Sequence, residues 1–175
     1  MKINEPVTDR EVKLRDGQEL VTKTNLKGII TYTNPDFIEI SGFSREDLVG
    51  KNHNVVRHPD MPPAAFKDLW ETLKLGRPWS KLVKNRCKNG DYYWVKANVT
   101  PIFRNGEIVE YMSVRTRPSQ EEIEAATVLY SKLKRGEATL PSPSAVSQQN
   151  LSGQLTHYAI IAVVAALLIN AGIYL

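Results

Sequence analysis

Short runs of alternating apolar and polar residues open the chain at 19–23 and 28–33, separated by Thr24, Asn25, Leu26 and Lys27. A period of two, rich in β-branched residues and broken by a turn, predicts a strand hairpin. The period then changes. Asn34 offers a capping oxygen with Pro35 just inside, and Phe37, Ile38 and Ile40 recur at helical spacing until Gly42. Ser44, with Asp47 three residues on, caps a second single turn. Beyond Pro59, Pro62 and Pro63, the residues Phe66, Leu69, Trp70 and Leu73 stand at i, i+3, i+4 and i+7. That stripe predicts an amphipathic helix over 64–75, stopped by Gly76. Strand periodicity returns at 79–86, 92–103 and 108–117, with Asn89-Gly90 and Asn105-Gly106 in the turns between, which predicts an antiparallel meander. A last, exposed helix is predicted over 119–133, with Ser119 at its cap, Glu121, Glu122 and Glu124 in the dipole-favoured first turn and Gly136 beyond its end.

Two strands, several short helices, one longer helix and three strands predict an α+β fold: a five-stranded antiparallel sheet with its helices on one face. The 175 residues suffice for one such domain and an appendage. The domain is assigned to 19–118, after an N-terminal cap segment 1–18 and before a connecting helix 119–136. A Pro/Ser/Gln-rich linker, 137–156, carries too little apolar surface to fold. From Tyr158 to Leu175 every residue is apolar or small except Asn170, and no Lys, Arg, Asp or Glu follows Glu137. At helical rise that stretch spans about 27 Å, close to a bilayer core. A core helix would show a polar face, so 157–175 is expected to be a transmembrane segment. Lys132, Lys134 and Arg135 precede it, which places the folded domain in the cytoplasm by the positive-inside bias.

Composition removes several classes. The net charge of +4 is spread among interspersed acidic and basic residues, with no stripe for tracking nucleic-acid phosphates. The N-terminus has no apolar secretory region. A single cysteine, Cys87, excludes an intrachain disulfide and a Cys-rich zinc site, and its place between Arg86 and Lys88 raises the question of a lowered pKa against a buried, idle thiol. His53 and His58 are five apart without a neighbouring ligand pattern, so no metal site is expected. There is no glycine-rich phosphate loop, GxSxG or kinase signature, and the chain is not expected to be an enzyme.

Binding chemistry concentrates in two places. Arg57, His58 and Asp60 lie in a loop that Pro59, Pro62 and Pro63 hold out of regular structure. On the residues alone, the trio is either an anion clamp, with Arg57 and His58 on a phosphate, or a salt bridge within a turn. Asn85 and Asn98 sit on adjacent predicted strands, where alternation allows both amides to face the helices. Such amides match the donor and acceptor edge of a flavin, pterin or nucleobase, and Trp79, Tyr93 and Trp94 could border a planar ligand.

Thr33-Asn34, Ser41-Gly42-Phe43-Ser44, Leu48-Val49-Gly50 and Lys88-Asn89-Gly90, in this order of elements, resemble a PAS sensor domain. The resemblance narrows through Val56-Arg57-His58-Pro59-Asp60-Met61-Pro62, Ala65-Phe66, Trp70, Pro78-Trp79, Val83-Lys84-Asn85-Arg86, Lys88-Asn89-Gly90-Asp91 and Tyr93-Trp94-Val95. These are similar to the PAS domain of the aerotaxis receptor family, over about 8–135. The family resemblance implies non-covalent FAD, a redox and oxygen (energy) sensor signalling in aerotaxis, and a PAS domain on the cytoplasmic side of the bacterial inner membrane. It makes Arg57, His58 and Asp60 FAD-binding residues, with Asn34, His53, Trp79, Asn85 and Tyr93 as further pocket residues; Asn98 is added from strand pairing. In the related LOV class a photoreactive cysteine follows Gly-x-Asn. Here Gly50-Lys51-Asn52 is followed by His53, so no adduct photocycle is expected. Alternative readings are a haem-binding PAS sensor, with His58 or His53 as axial ligand, and a ligand-free PAS dimerisation module. A homodimer or larger receptor assembly is expected, acting on a HAMP and chemotaxis signalling module if the chain is truncated and on another membrane protein if it is not.

Overall fold

The structure is a computed structural model and describes residues 4–143. Met1–Leu140 forms one compact unit. Its strands are β1 (Leu20–Thr24), β2 (Ile30–Thr33), β3 (Trp79–Arg86), β4 (Tyr92–Arg104) and β5 (Glu107–Thr116), in the sheet order β2-β1-β5-β4-β3 with every neighbour antiparallel. The helices are α1 (Pro35–Ser41), α2 (Arg45–Leu48), α3 (Pro63–Lys74) and α4 (Gln120–Arg135). A single 3-10 turn, His53–Val56, lies between α2 and α3.

Local chemistry accounts for the boundaries. Asn34 Oδ1 accepts from the Phe37 amide to start α1, and Gly42 ends it in the left-handed conformation. Ser44 with Asp47, and Ser119 with Glu122, form reciprocal capping boxes for α2 and α4. Asn105 and Gly106 both have positive φ, as a tight hairpin between β4 and β5 requires. The turn between β3 and β4 is longer: Cys87 N–H donates to Asp91 O, and only Gly90 within it has positive φ.

The chain between β2 and β3 starts at one sheet edge and finishes at the other, about 19 Å away for four strand spacings. Gly50 and Lys51 bond to Ile30 on the β2 edge, whereas Arg57 bridges Asn85 and His58 N–H donates to Lys84 O on the β3 edge. Residues 52–57 therefore cross the inner sheet face, and both exposed edges gain partners.

The expected exposed helix is present as α4, with Val128 and Leu129 open to solvent, but one stripe of it packs on the sheet face opposite the other helices. Even-numbered positions of β4 point away from the inner face, where Trp94 stacks on Tyr130 and Lys96 pairs with Glu122 at 2.7 Å. Tyr130 Oη donates to Leu82 O at 2.5 Å, so α4 covers the outer face of β3 and β4. Among the described residues no helix is long and apolar enough to cross a membrane, and the expected span at 157–175 lies outside them.

Candidate ligand-binding site

The inner sheet face and the crossing segment enclose a cavity of about 370 Å³, within the range of small-molecule sites. Register lays its floor. Thr22 pairs with Ser113, Ser113 with Val99 and Val99 with Trp79, so inward side chains of four strands form one row. Tyr111 and Arg115 flank Ser113 on β5, and Val83 and Asn85 continue the floor on β3. The roof is the apolar stripe of α3, Phe66, Leu69, Trp70 and Leu73, while Lys27, Asn52, Asn54 and Arg57 form a polar rim. At Gly28, with φ of +75°, an added Cβ would lie 3.1 Å from the Trp70 ring. Glycine there permits both the turn after β1 and the approach of the α3 roof.

Polar atoms in this lining lack partners. Ser113 Oγ and Arg57 Nε are buried without a hydrogen bond, and Asn85 Nδ2, beside the Tyr93 hydroxyl, meets no partner in good geometry. Each such atom costs on the order of 1–3 kcal/mol unless something occupies the cavity to meet it. Arg115 Nη1 donates to Thr22 Oγ1 at 2.9 Å, and its Nη2 lies 2.8 Å from His53 Nε2. A guanidinium can only donate, so His53 Nε2 accepts and the imidazole is neutral. Burial and the Arg115 charge hold His53 down at about 3, and burial lowers Arg115 to about 10.

The structure divides the expected residues. His53, Arg57, Trp79 and Asn85 line the cavity. Trp79 also donates to Asp68 Oδ2 at 2.6 Å, tying β3 to α3. Arg57 donates to Met61 O at 2.9 Å and stacks over Phe66 at 4.1 Å. His58 and Asp60 turn away from it. His58 is buried against Tyr92 and takes the Asp60 amide on Nδ1, while Asp60 is exposed and paired with Lys84 at 2.7 Å. Burial and the Lys84 charge hold His58 at about 4, so the close His58–Asp60 contact is not an ion pair at neutral pH. Burial raises the Asp60 carboxyl, but its hydrogen bond to Lys84 together with the charges of Lys84 and Lys134 outweighs that, and the net shift is downward.

Tyr93, cross-strand partner of Asn85, is fully buried outside the lining, and its hydroxyl meets no hydrogen-bond geometry. Burial pushes its pKa upward. Asn34 lies outside the lining as well: besides capping α1, it accepts from Val21 N–H and donates to Glu19 O. The placement of Asn98 is corrected by strand parity. Ala97 and Val99 face the cavity, so Asn98 faces outward and accepts from Ser80 Oγ at 2.7 Å. Cys87 is buried, donates to Ile40 O and is pushed up to about 11 by burial and by Asp91, an unreactive thiol. Sequence reading missed Thr22, Trp70, Tyr111, Ser113 and Arg115. The available signal was β5 itself, where Tyr111, Ser113 and Arg115 alternate with apolar Met112 and Val114.

Residues 30–115 match the family model described as the PAS fold, and the chain carries a PAS domain. Its PAS domain is of the aerotaxis receptor type: it is 52% identical over 130 residues to the aerotaxis receptor of Escherichia coli (strain K12), covering 74% of this chain and 26% of that receptor. The chain thus spans about a quarter of the receptor's length. It is also 26% identical over 115 residues to the nitrogen fixation regulatory protein of Klebsiella pneumoniae, covering 65% of this chain and 22% of that protein. The dark structure of the blue-light photoreceptor Aureochrome1 LOV superposes with a TM-score of 0.56 at 20% identity, over 68% of this chain and 86% of that one. The LOV domain of the Erythrobacter litoralis EL346 blue-light activated histidine kinase gives 0.53 at 18%, over 58% and 96%. These two likenesses show the shared fold.

Proposed function

We propose that this chain is a redox and oxygen (energy) sensor that binds FAD non-covalently in the PAS cavity and signals in aerotaxis, anchored to the inner membrane by 157–175. The observation that carries the reading is a ring-sized cavity lined by Arg57, Asn85, Ser113 and the buried Arg115 in a domain 52% identical to an aerotaxis receptor. The residues fit a flavin. An apolar roof with Trp70, facing Tyr111, Val99 and Trp79 on the floor, suits a planar ring, and Asn85 supplies a donor and an acceptor for its polar edge. Arg57 at the rim suits a phosphate of the dinucleotide tail, which 370 Å³ leaves outside. Bound flavin supplies electron-accepting chemistry whose reduction changes the charge and protons at the ring edge. His58 and Asp60 position Arg57 by shaping the loop rather than by touching the ligand.

Signal transfer follows from β3. Asn85 faces the cavity, and Leu82 on the same strand takes the Tyr130 hydroxyl of α4 on the outer face. A change in the hydrogen bonds demanded of Asn85 shifts β3, and α4 carries the shift towards the linker. A ligand biases two states only through contacts that differ between them, which assigns the switch to Asn85 and the holding to Arg57. The output is a chemotaxis signalling module or a membrane partner, reached as a homodimer or larger assembly. Titration of the flavin-stripped full chain with FAD, FMN and hemin tests the ligand. The reading predicts one FAD site per chain that quenches flavin fluorescence; saturable hemin binding with a Soret band and no FAD binding would replace it with the haem reading.

A further inference from the structure

Arg115 is the cation on the cavity floor. Its relative exposure is 6%, and every partner it has is neutral: the Thr22 hydroxyl, the unprotonated His53 nitrogen and the Phe37 ring 5.4 Å away. Each ion pair among the described residues lies elsewhere, so no carboxylate there offsets this charge. Burying a cation against neutral dipoles is unfavourable for the protein alone. Ser113 Oγ, two residues back on the same face of β5, is buried and unpartnered. His53 adds no competing charge, since the bond from Arg115 keeps its lone pair occupied.

We propose that Arg115, braced by Thr22 and His53, is the counter-charge for the ring of the bound ligand and favours its reduced, anionic form over its oxidised, neutral form. The assignment rests on the flavin reading above and adds the orientation: ring edge towards Arg115 and Ser113, tail towards Arg57. With dithionite as reductant, two electrons and one proton delivered to the ring leave one net negative charge on it, and Arg115 offsets that charge without releasing its own proton. Arg115 acts by fixed position and charge.

The test uses the full chain in detergent, as wild type, Arg115→Met and Arg115→Lys, with two readouts. Stripped of flavin, Arg115→Met melts at or above the wild-type temperature, because an uncompensated buried charge has been removed. With FAD, Arg115→Met binds reduced flavin at least tenfold more weakly relative to oxidised flavin, a fall of at least about 30 mV in the two-electron midpoint. Arg115→Lys, which keeps the charge, recovers most of that ratio. A flavin-stripped Arg115→Met chain that melts several degrees lower, or fails to fold, makes Arg115 a structural brace and overturns the proposal. An unchanged ratio in Arg115→Met overturns it while leaving the flavin reading intact. A wild-type chain that binds no flavin overturns both.

Discussion

Arg57 and Asn85 share one backbone bridge across the edge of β3, yet their side chains serve different ends. Arg57→Ala is expected to lower FAD affinity at least tenfold, read by fluorescence titration, because it removes the rim cation; full flavin retention would contradict that role. Asn85→Ser is expected to keep flavin within a few-fold of wild type while uncoupling output from redox state, read as receptor signalling that no longer responds to oxygen. The two histidines set the acid limit. His53 and His58 are held at about 3 and about 4 in the folded state, below the ordinary value near 6.5. The unfolded chain then binds more protons across that interval, so stability falls as pH drops from 6.5 towards 4, by at most about 1.4 kcal/mol per pH unit for each histidine. Thermal melts of the flavin-stripped chain should show this slope, and His58→Gln should flatten part of it; a pH-independent melt would contradict the neutral assignment. At this scale the sequence displayed Arg57 and Asn85, because prolines and strand neighbours frame them. It hid Arg115, because a charged residue near a strand end ordinarily faces water, and only the register against Thr22 and the approach of His53 reveal that this one does not.

Elements were more legible than residues. Caps, Asn-Gly turns and the α3 stripe are local chemistry, so β3 occupies the expected 79–86 and the other strands and helices fall within two residues of their predicted limits. Long-range pairing was not legible: nothing in the sequence says that 52–57 must cross the sheet or that α4 folds back on its far side. Asn98 failed for a related reason, since a one-residue difference in parity exchanges the faces of a strand. Asn34 and Asn98 separate scaffold from site. Asn34→Ala removes a cap, one link to β1 and one to Glu19 just before it, and should destabilise the domain by about 1–3 kcal/mol in denaturant melts. Its FAD affinity, measured where it is folded, should be unchanged. Asn98→Ala should leave flavin affinity unaltered, and a large loss would restore it to the site. Tyr130→Phe should loosen α4 by about 1 kcal/mol, seen as faster amide exchange in that helix.

For the whole molecule, strand order is what makes the cavity. Because β2 and β3 are opposite edges, the chain joining them must bridge the inner face, and the helices it carries become wall and roof over a row of inward side chains. α4 packs on the other face, and the proposed path runs from Asn85 along β3 to the Leu82–Tyr130 bond of α4. Anchoring belongs to this scale too. A chain ending at Leu140 is expected to be released from membranes by alkaline carbonate, and the full chain to stay with them; equal release would remove the anchor from the account. The most direct measurement of the central claim is the absorption spectrum of the purified full chain before and after dithionite. Flavin absorption bands that bleach on reduction and return in air are the predicted result, and a featureless spectrum that added FAD does not change would contradict it.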